Sequence, residues 1–478
     1  MNRKLIVRIV GLILCIEAGC MVLPFLVALA DHGVDASAFA YAITICGIAG
    51  VALALVRPEK TRLQTRDGFV AVGLCWIALS VFGALPYFFA GAHYVDALFE
   101  TASGLTTTGA SIFPAPAALS RGILFWRALT QWMGGMGVLV MVLALLPTIG
   151  EGSVNLMKAE SPGPISTKLR PKTKDTARLL YIMYLCLTGA ETLCLRVAGM
   201  PWFDSLTTSF TTISTGGFSV RNESIAFYHS EVIAWIVIAF MFVSAINFSL
   251  LFLAVSGQVR EALRSEELRT YAGITLGSVL LITLELALRG GEALYTALSH
   301  AAFQVVSIMT TTGFATTDFA LWPRFSQSVL ILLMFVGGCA GSTAGGVKVS
   351  RVVVLFKSLR RELQRILHSR EVHPLSLDGR RVDEGTISSV SVFFFVYLLI
   401  LLLCTAVVSL DNVPLATAFS AALTSISNVG PGLELVGPTC NFGFLSGLSK
   451  VTLSMAMLLG RLEILPLLML FFPAAWRK

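Results

Sequence analysis

Charge is what this sequence has least of. Only 13% of its 478 residues are Asp, Glu, Lys or Arg, against about 25% in a soluble globular chain. That shortage excludes an ordinary cytosolic enzyme and a disordered chain. The nine cysteines (15, 20, 46, 75, 186, 194, 339, 404 and 440) form no C-x-x-C pair and fall mainly in apolar segments. They read as small packing residues, with no zinc site or disulfide frame. The six histidines (32, 93, 229, 300, 368 and 373) lie far apart, and no two stand four residues apart. Metal-ligand spacing, a Ser/His/Asp arrangement and a phosphate loop following a strand are all missing, so the chain reads as a non-enzyme without a catalytic cofactor. Alternating segments of about 10 residues are also missing, which excludes a β-barrel.

Apolar residues fill that space: 55% of the chain, with mean hydropathy +0.80. They fall in blocks near 20 residues, the length that spans a bilayer core of about 30 Å. Ten spanning segments are expected, at about 5–30, 37–56, 68–90, 122–147, 178–199, 231–256, 271–289, 327–356, 386–410 and 449–473. The first reads as a retained helix, since no small-residue cleavage site follows it. With the N-terminus inside, the inner segments 1–8, 57–66, 151–178, 260–269, 348–381 and 477–478 hold 27 of the 35 Lys and Arg. That bias fits the rule that basic residues stay cytoplasmic. The net charge of +7 therefore records topology and implies no nucleic acid. The expected class is an all-α polytopic membrane protein in contact with lipid.

Glycine is in excess, 41 of 478, or about 9% against a usual 7%. Part of this is helix packing. The rest follows a repeat. Four apolar stretches at 96–108, 204–215, 300–312 and 417–429 are too short to span and end in Thr, Ser, Asn and Gly, as re-entrant half-helices do. Anchored on Gly109, Gly217, Gly313 and Gly430, they read DALFETASGLTTTG, DSLTTSFTTISTGG, HAAFQVVSIMTTTG and TAFSAALTSISNVG. Each lies between two spanning segments. The chain thus divides into two leading helices (1–66) and four units of helix, half-helix, loop and helix, at 67–160, 161–265, 266–384 and 385–478. Asp96 and Asp204 are expected to cap their half-helices.

Irregular backbone at membrane depth must line a water-filled path or lie in protein. Four Gly-ended strands around one axis can present carbonyl oxygens that replace a cation's water shell. Half-helices entering from outside would turn their negative ends to the same place. The candidate filter is Thr107, Thr108 and Gly109; Thr215, Gly216 and Gly217; Thr311, Thr312 and Gly313; and Asn428, Val429 and Gly430. The alternative is a set of packing turns in some other carrier.

Unit three carries Gly337-Gly338-Cys339-Ala340-Gly341-Ser342-Thr343-Ala344-Gly345-Gly346, then Lys348, inside a span. Each interior Gly costs a helix about 1 kcal/mol against Ala. Gly337, Gly338, Gly341, Ser342, Thr343, Gly345, Gly346 and Lys348 therefore mark either a mobile gating loop beneath the filter or a tightly packed kink. Arg461 lies mid-span, where charge is expensive and faces a cavity or a partner. It either sets a barrier between ions or pairs with Glu463 or a neighbouring carboxylate. Arg127, Gln131 and the stretch Trp132–Gly137 form a polar, Gly-rich patch read as helix packing before pore lining.

The strings TTTGAS (106–111), STGGFS (214–219), TTTGFATTDF (310–319) and SNVGPGL (427–433), with GGCAGSTAGGVKVSR (337–351), QWMGGMG (131–137) and LLGRLEI (458–464), resemble the Trk/Ktr/HKT superfamily of potassium transporters. The two leading helices and Pro162-Gly163-Pro164 resemble its bacterial TrkH branch. The resemblance covers nearly the whole chain. It implies a potassium-translocating subunit of the bacterial inner membrane, built as a homodimer with a pore in each protomer and regulated by a cytosolic, nucleotide-binding TrkA-type subunit. It assigns the filter to the four triplets, the gate to 337–346 and the barrier to Arg461, with both termini cytoplasmic. Relatives with Ser at the Gly109 position favour sodium. Val220-Arg221-Asn222-Glu223 departs from the Thr-His-Asp of many relatives at the outer mouth. Proton- or sodium-coupled symport, for which Glu17, Glu191 and Glu285 are the intramembrane acids, and a sodium pathway of the same fold are the alternatives.

Overall fold

The computed structural model of the chain describes residues 2–31, 33, 35–58, 64–137, 173–368 and 374–476. The Pro162-Gly163-Pro164 loop, the end of the expected 122–147 segment, His32, His373 and most of the inner segment 151–178 lie outside the described residues.

The chain is a polytopic bundle of apolar helices. Two leading helices, Arg3–Ala30 and Ala36–Ala54, cross closely: a Cβ on Gly11 would sit 2.7 Å from the Gly50 carbonyl oxygen. Four units follow. Their long first helices are Thr65–Gly83, Thr173–Val197, Glu266–Leu288 and Glu384–Val408. Their short helices are Tyr94–Leu105, Trp202–Ile213, Leu294–Met309 and Leu415–Ser427. At 12, 12, 16 and 13 residues, and about 1.5 Å per residue, none crosses a bilayer core.

A third helix completes each unit, and its entry is written in the sequence. Ser120, Ser230 and Ser446 accept from the backbone N–H three residues on, the usual capping contact. Pro323 stands at the equivalent point of unit three. Six described helices are long and apolar enough to cross a membrane. These cover the expected segments 5–30, 37–56, 68–90, 178–199, 271–289 and 386–410.

The second spans of units two to four are broken, which the sequence reading expected only of unit three. In unit two, Glu231–Ser244 and Phe248–Val255 meet at 105° across Asn247, whose Oδ1 accepts from Ser249 N and starts a new helix. In unit four, Gly447–Arg461 and Leu465–Phe471 are separated by Glu463 and Ile464, both at positive φ. In unit three the gap runs from Arg324–Val336 to Val349–Leu367. These breaks lack a run of glycines in units two and four, so composition alone does not reveal them.

The units close on themselves. The helix after each filter strand packs on the next unit's short helix: Arg121–Gly135 on Trp202–Ile213, Glu231–Ser244 on Leu294–Met309, Arg324–Val336 on Leu415–Ser427, and Gly447–Arg461 on Tyr94–Leu105. A head-to-tail contact repeated four times and returning to its start makes a ring with an axis. Beyond Leu367 the inner segment turns through a two-residue hairpin, Ser376↔Arg381 and Leu377↔Arg380. Asp378 and Gly379 both have positive φ there, as a tight hairpin turn requires.

Candidate ion pathway

The four short helices are mostly buried beyond their first turns and rich in hydroxyls. Many of these hydroxyls are satisfied within the helix, as Thr101 on Ala97 O and Thr212 on Thr208 O, both at 2.8 Å. Asp96 and Asp204 do not cap them. His93 and Pro201 hold the cap positions, and each aspartate lies in the first helical turn, where its charge still suits the positive end. Asp96 receives Lys450 Nζ at 2.5 Å, and Asp204 receives Arg221 at 2.8 Å and Tyr228 Oη at 2.8 Å. Those basic partners come from other segments, so neither pairing is visible as a local motif. Burial, with Asp204 beside it, pushes the Tyr228 hydroxyl above its ordinary range.

Each short helix ends in a strand with one conformational signature. Thr107, Thr215, Thr311 and Asn428 have φ of 57°, 54°, 57° and 56°. Gly109, Gly217, Gly313 and Gly430, two residues on, have φ of 83°, 77°, 82° and 104°. A left-handed residue between right-handed ones turns successive peptide planes so that their carbonyls face one side. The conformation costs a non-glycine residue of order 1–3 kcal/mol. Four such residues in register are therefore a property of the repeat.

The glycines show how the strands meet. A Cβ on Gly109 would collide with Gly216 O, on Gly217 with Thr312 O, on Gly313 with Val429 O, and on Gly430 with Thr108 O, 2.7 Å away. The order is unit one to two, two to three, three to four and four to one. Thr108, Gly216, Thr312 and Val429 thus set four carbonyls in a closed ring, each against the neighbouring unit's glycine. The twelve residues of the expected filter lie together. Above them the outer cavity is lined by these glycines with Ser111, Arg127, Arg221 and Asn222. Arg127 is paired with Glu100 at 2.8 Å, and Arg221 with Asp204.

The unit-three loop lies directly beneath. It leaves at Gly337 and returns at Gly346, where Val347 N donates to Phe335 O at 3.0 Å and Lys348 N to Val336 O at 2.8 Å. Thr343 Oγ1 lies 3.1 Å from both Ile213 O and Ser244 O, and its single proton is donated to one or shared between them. Gly345 N donates to the Thr311 hydroxyl at 2.8 Å, and a Cβ on Gly345 would lie 3.0 Å from that of Asn428. Gly338 packs on Ala245, Gly341 O accepts from Phe248 N at 3.1 Å, and Ser342 Oγ donates to Cys339 O at 2.7 Å. The loop is packed and pinned.

Arg461 completes the set. Its guanidinium donates to Thr343 O at 2.7 Å, Gly134 O at 2.6 Å and Gly135 O at 2.5 Å. It joins the loop to the end of the unit-one helix, so the loop region reaches all four units. Glu463 holds Lys348 Nζ at 3.0 Å and pairs with Arg351. Glu267 Oε1 accepts from Ala340 N at 2.7 Å and Ser350 N at 3.1 Å. Sequence reasoning missed Glu267, Asn247 and Glu100 as parts of this site. Their only signal was a charged or amide residue near an apolar segment. The Gly134-Gly135 pair is packing, as read: a Cβ on Gly134 would collide with Leu105 O.

A closed ring of backbone carbonyls at the negative ends of four short helices, with a packed loop below, defines the class: a membrane protein of ion-pathway architecture. Comparison with known proteins agrees. The family model TrkH, described as cation transport protein, matches residues 35–271 and 292–478. The chain is 39% identical over 485 residues to the Trk system potassium uptake protein TrkH of Salmonella typhimurium, covering 100% of both. It is 34% identical to TrkG of Escherichia coli K12, covering 99% of both. The crystal structure of the potassium transporter TrkH from Vibrio parahaemolyticus superposes with a TM-score of 0.89 at 36% identity, covering 100% of both chains. The chain belongs to the TrkH family of cation transport proteins.

Proposed function

We propose that this chain moves potassium across the membrane through a filter formed by Thr107–Gly109, Thr215–Gly217, Thr311–Gly313 and Asn428–Gly430. The closed cycle of glycine-to-carbonyl approaches carries this reading. Four backbone strands in that order make a ring of fixed oxygens, which can replace the hydration shell of an alkali cation. The short helices direct their negative ends at the ion and against anions. The relatives are named as potassium uptake proteins, and potassium is the ion we assign here.

The 337–346 loop is the gate in this proposal. It fills the space under the ring, and Thr343, Gly345 and the Arg461 bonds are what opening must release. Arg461 adds a positive barrier to a cation leaving the filter. The basic inner segments support cytoplasmic termini at a bacterial inner membrane. The relatives' names speak of a Trk system, which supports association with a further component; in this proposal that component is a cytosolic TrkA-type nucleotide-binding subunit drawn to the basic inner segment, and the chain works as a homodimer of pores.

Purified protein in liposomes tests the reading. Rubidium should enter down its own gradient with neither a sodium nor a proton gradient. A requirement for either would favour an ion-coupled symporter, and equal sodium and rubidium fluxes a sodium-permeable pathway. Glu17 lies near Cys46, and Glu285 receives Ser326 from a different helix. These acids are dispersed, which weighs against a proton relay.

A further inference from the structure

The four residues that present the ring carbonyls are Thr108, Gly216, Thr312 and Val429, and Gly216 alone has no side chain. The two threonines fasten their own strands: Thr106 Oγ1 and Thr108 Oγ1 lie 2.8 Å apart, as do Thr310 Oγ1 and Thr312 Oγ1. In unit two that place is filled from outside. A Cβ on Gly216 would fall 2.5 Å from Oε1 and 2.8 Å from Nε2 of Gln131.

Gln131 belongs to the helix Arg121–Gly135 of unit one and is 0% exposed. Its Nε2 donates to Gly216 O at 2.6 Å, and its Oε1 accepts from Phe218 N at 3.0 Å. One rigid amide therefore holds the carbonyl just before Gly217 and the N–H just after it. Arg127, one turn earlier on the same face, donates to Ser219 O at 3.1 Å and stacks 4.2 Å from the Phe218 ring centre. Gly216 O is also the oxygen that lies against Gly109 of the neighbouring unit.

We infer that Gln131 is a selectivity-determining positioning residue, the stand-in for the missing side chain of Gly216, which keeps one ring carbonyl from closing on a smaller ion. The inference rests on the filter reading above. A carbonyl has two lone-pair directions. With one taken by a buried amide, the oxygen still serves an ion but is tethered outward. Sodium is bound well only if the ring contracts. Releasing the tether therefore favours sodium, while potassium, which needs the wider ring, is affected less.

The test is the rubidium-to-sodium flux ratio of the full chain in liposomes. Gln131→Met keeps the volume and removes the donor. The ratio should fall about fivefold to tenfold, the worth of one buried hydrogen bond, while rubidium flux changes less. A merely structural role would lower the yield or the rate of both ions and leave the ratio alone. If Gln131→Met does not fold, the pair Gln131→Ala with Gly216→Ala puts a methyl into the vacated space without restoring the donor, and the same fall is expected. Gly313→Ser, across the ring, separates the two readings. If it lowers the ratio and a folded Gln131 variant keeps it within about twofold of wild type, this inference is overturned and the filter stands. If Gly313→Ser also leaves the ratio intact, the filter reading fails and this inference falls with it.

Discussion

The ring and the loop beneath it are both glycine-rich irregular backbone at membrane depth, yet they are held in different ways. Each ring strand is fixed by its own left-handed residue and by a neighbouring strand, Gly109 on Gly216 through to Gly430 on Thr108. The loop closes on itself at Gly337 and Gly346, but side chains from elsewhere hold it in place: Arg461, Glu463, Glu267 and the Thr311 hydroxyl. The ring is held by one closed cycle of backbone approaches, whereas the loop is held by separate contacts, from those side chains and from the backbone of Ala245 and Phe248. In the function proposed above, discrimination belongs to the ring and rate to the loop, and variants on either side can separate the two.

The largest effect is expected at Glu463, which faces both Lys348 and Arg351 while 4% exposed. Removing one member of a buried ionic set leaves the others uncompensated, at a cost of about 3 kcal/mol or more. Glu463→Gln should therefore lower the thermal unfolding midpoint in detergent and raise rubidium leak. Adding Lys348→Met should recover part of the midpoint. An unchanged midpoint and leak would remove these ions from the loop's support.

Next come the ring glycines. Gly217→Ala drives a methyl into Thr312 O at a φ of 77°, and Gly109→Ser does the same to Gly216 O at 83°. Strain of about 2 kcal/mol at either position corresponds to roughly thirtyfold. The potassium preference over sodium should drop by that order in liposome flux, with Gly109→Ser shifting towards sodium. An unaltered ratio in both variants would sink the filter assignment.

These two sites also differ in how legible they were. The ring could be read because a four-times-repeated string is visible without any contact: each anchor glycine, the apolar residue four places before it and the hydroxyls between recur in register. The unit-three break was legible because five glycines in ten residues have no helical use. The breaks at Asn247 and Glu463-Ile464 were hidden, since an Asn starting a new helix and two non-glycines at positive φ leave no mark in composition. The supports were hidden for another reason. Gln131 acts on Gly216 and Glu267 on Ala340, pairings 85 and 73 residues apart in sequence that only the tertiary fold creates. Asp96 and Asp204 misled because an acid near a helix start suits a cap as well as an ion pair.

Arg461→Ala should act on rate. It deletes three donations to Thr343, Gly134 and Gly135 carbonyls, and each charge-assisted bond is worth about 1.5–3 kcal/mol gross of rearrangement. Water and neighbouring donors will replace part of that. We expect basal rubidium flux to rise about tenfold, with the ion ratio within about twofold of wild type. Unchanged flux would mean that the loop does not limit passage.

Thr311 is the sharpest, if smallest, probe, because it belongs to both regions. Its backbone is part of the ring, while its hydroxyl accepts the Gly345 N–H of the loop. Thr311→Val keeps the shape and removes that acceptor, worth about 1 kcal/mol, or roughly fivefold. A division between ring and loop predicts a rise in basal rubidium flux of up to that size, with the rubidium-to-sodium ratio held. Thr311→Ser, which retains the hydroxyl, should stay near wild type in both. If Thr311→Val moves the ratio as far as the rate, the hydroxyl bond is part of the filter's own support. Ring and loop would then work as one element, and Arg461→Ala should alter selectivity too.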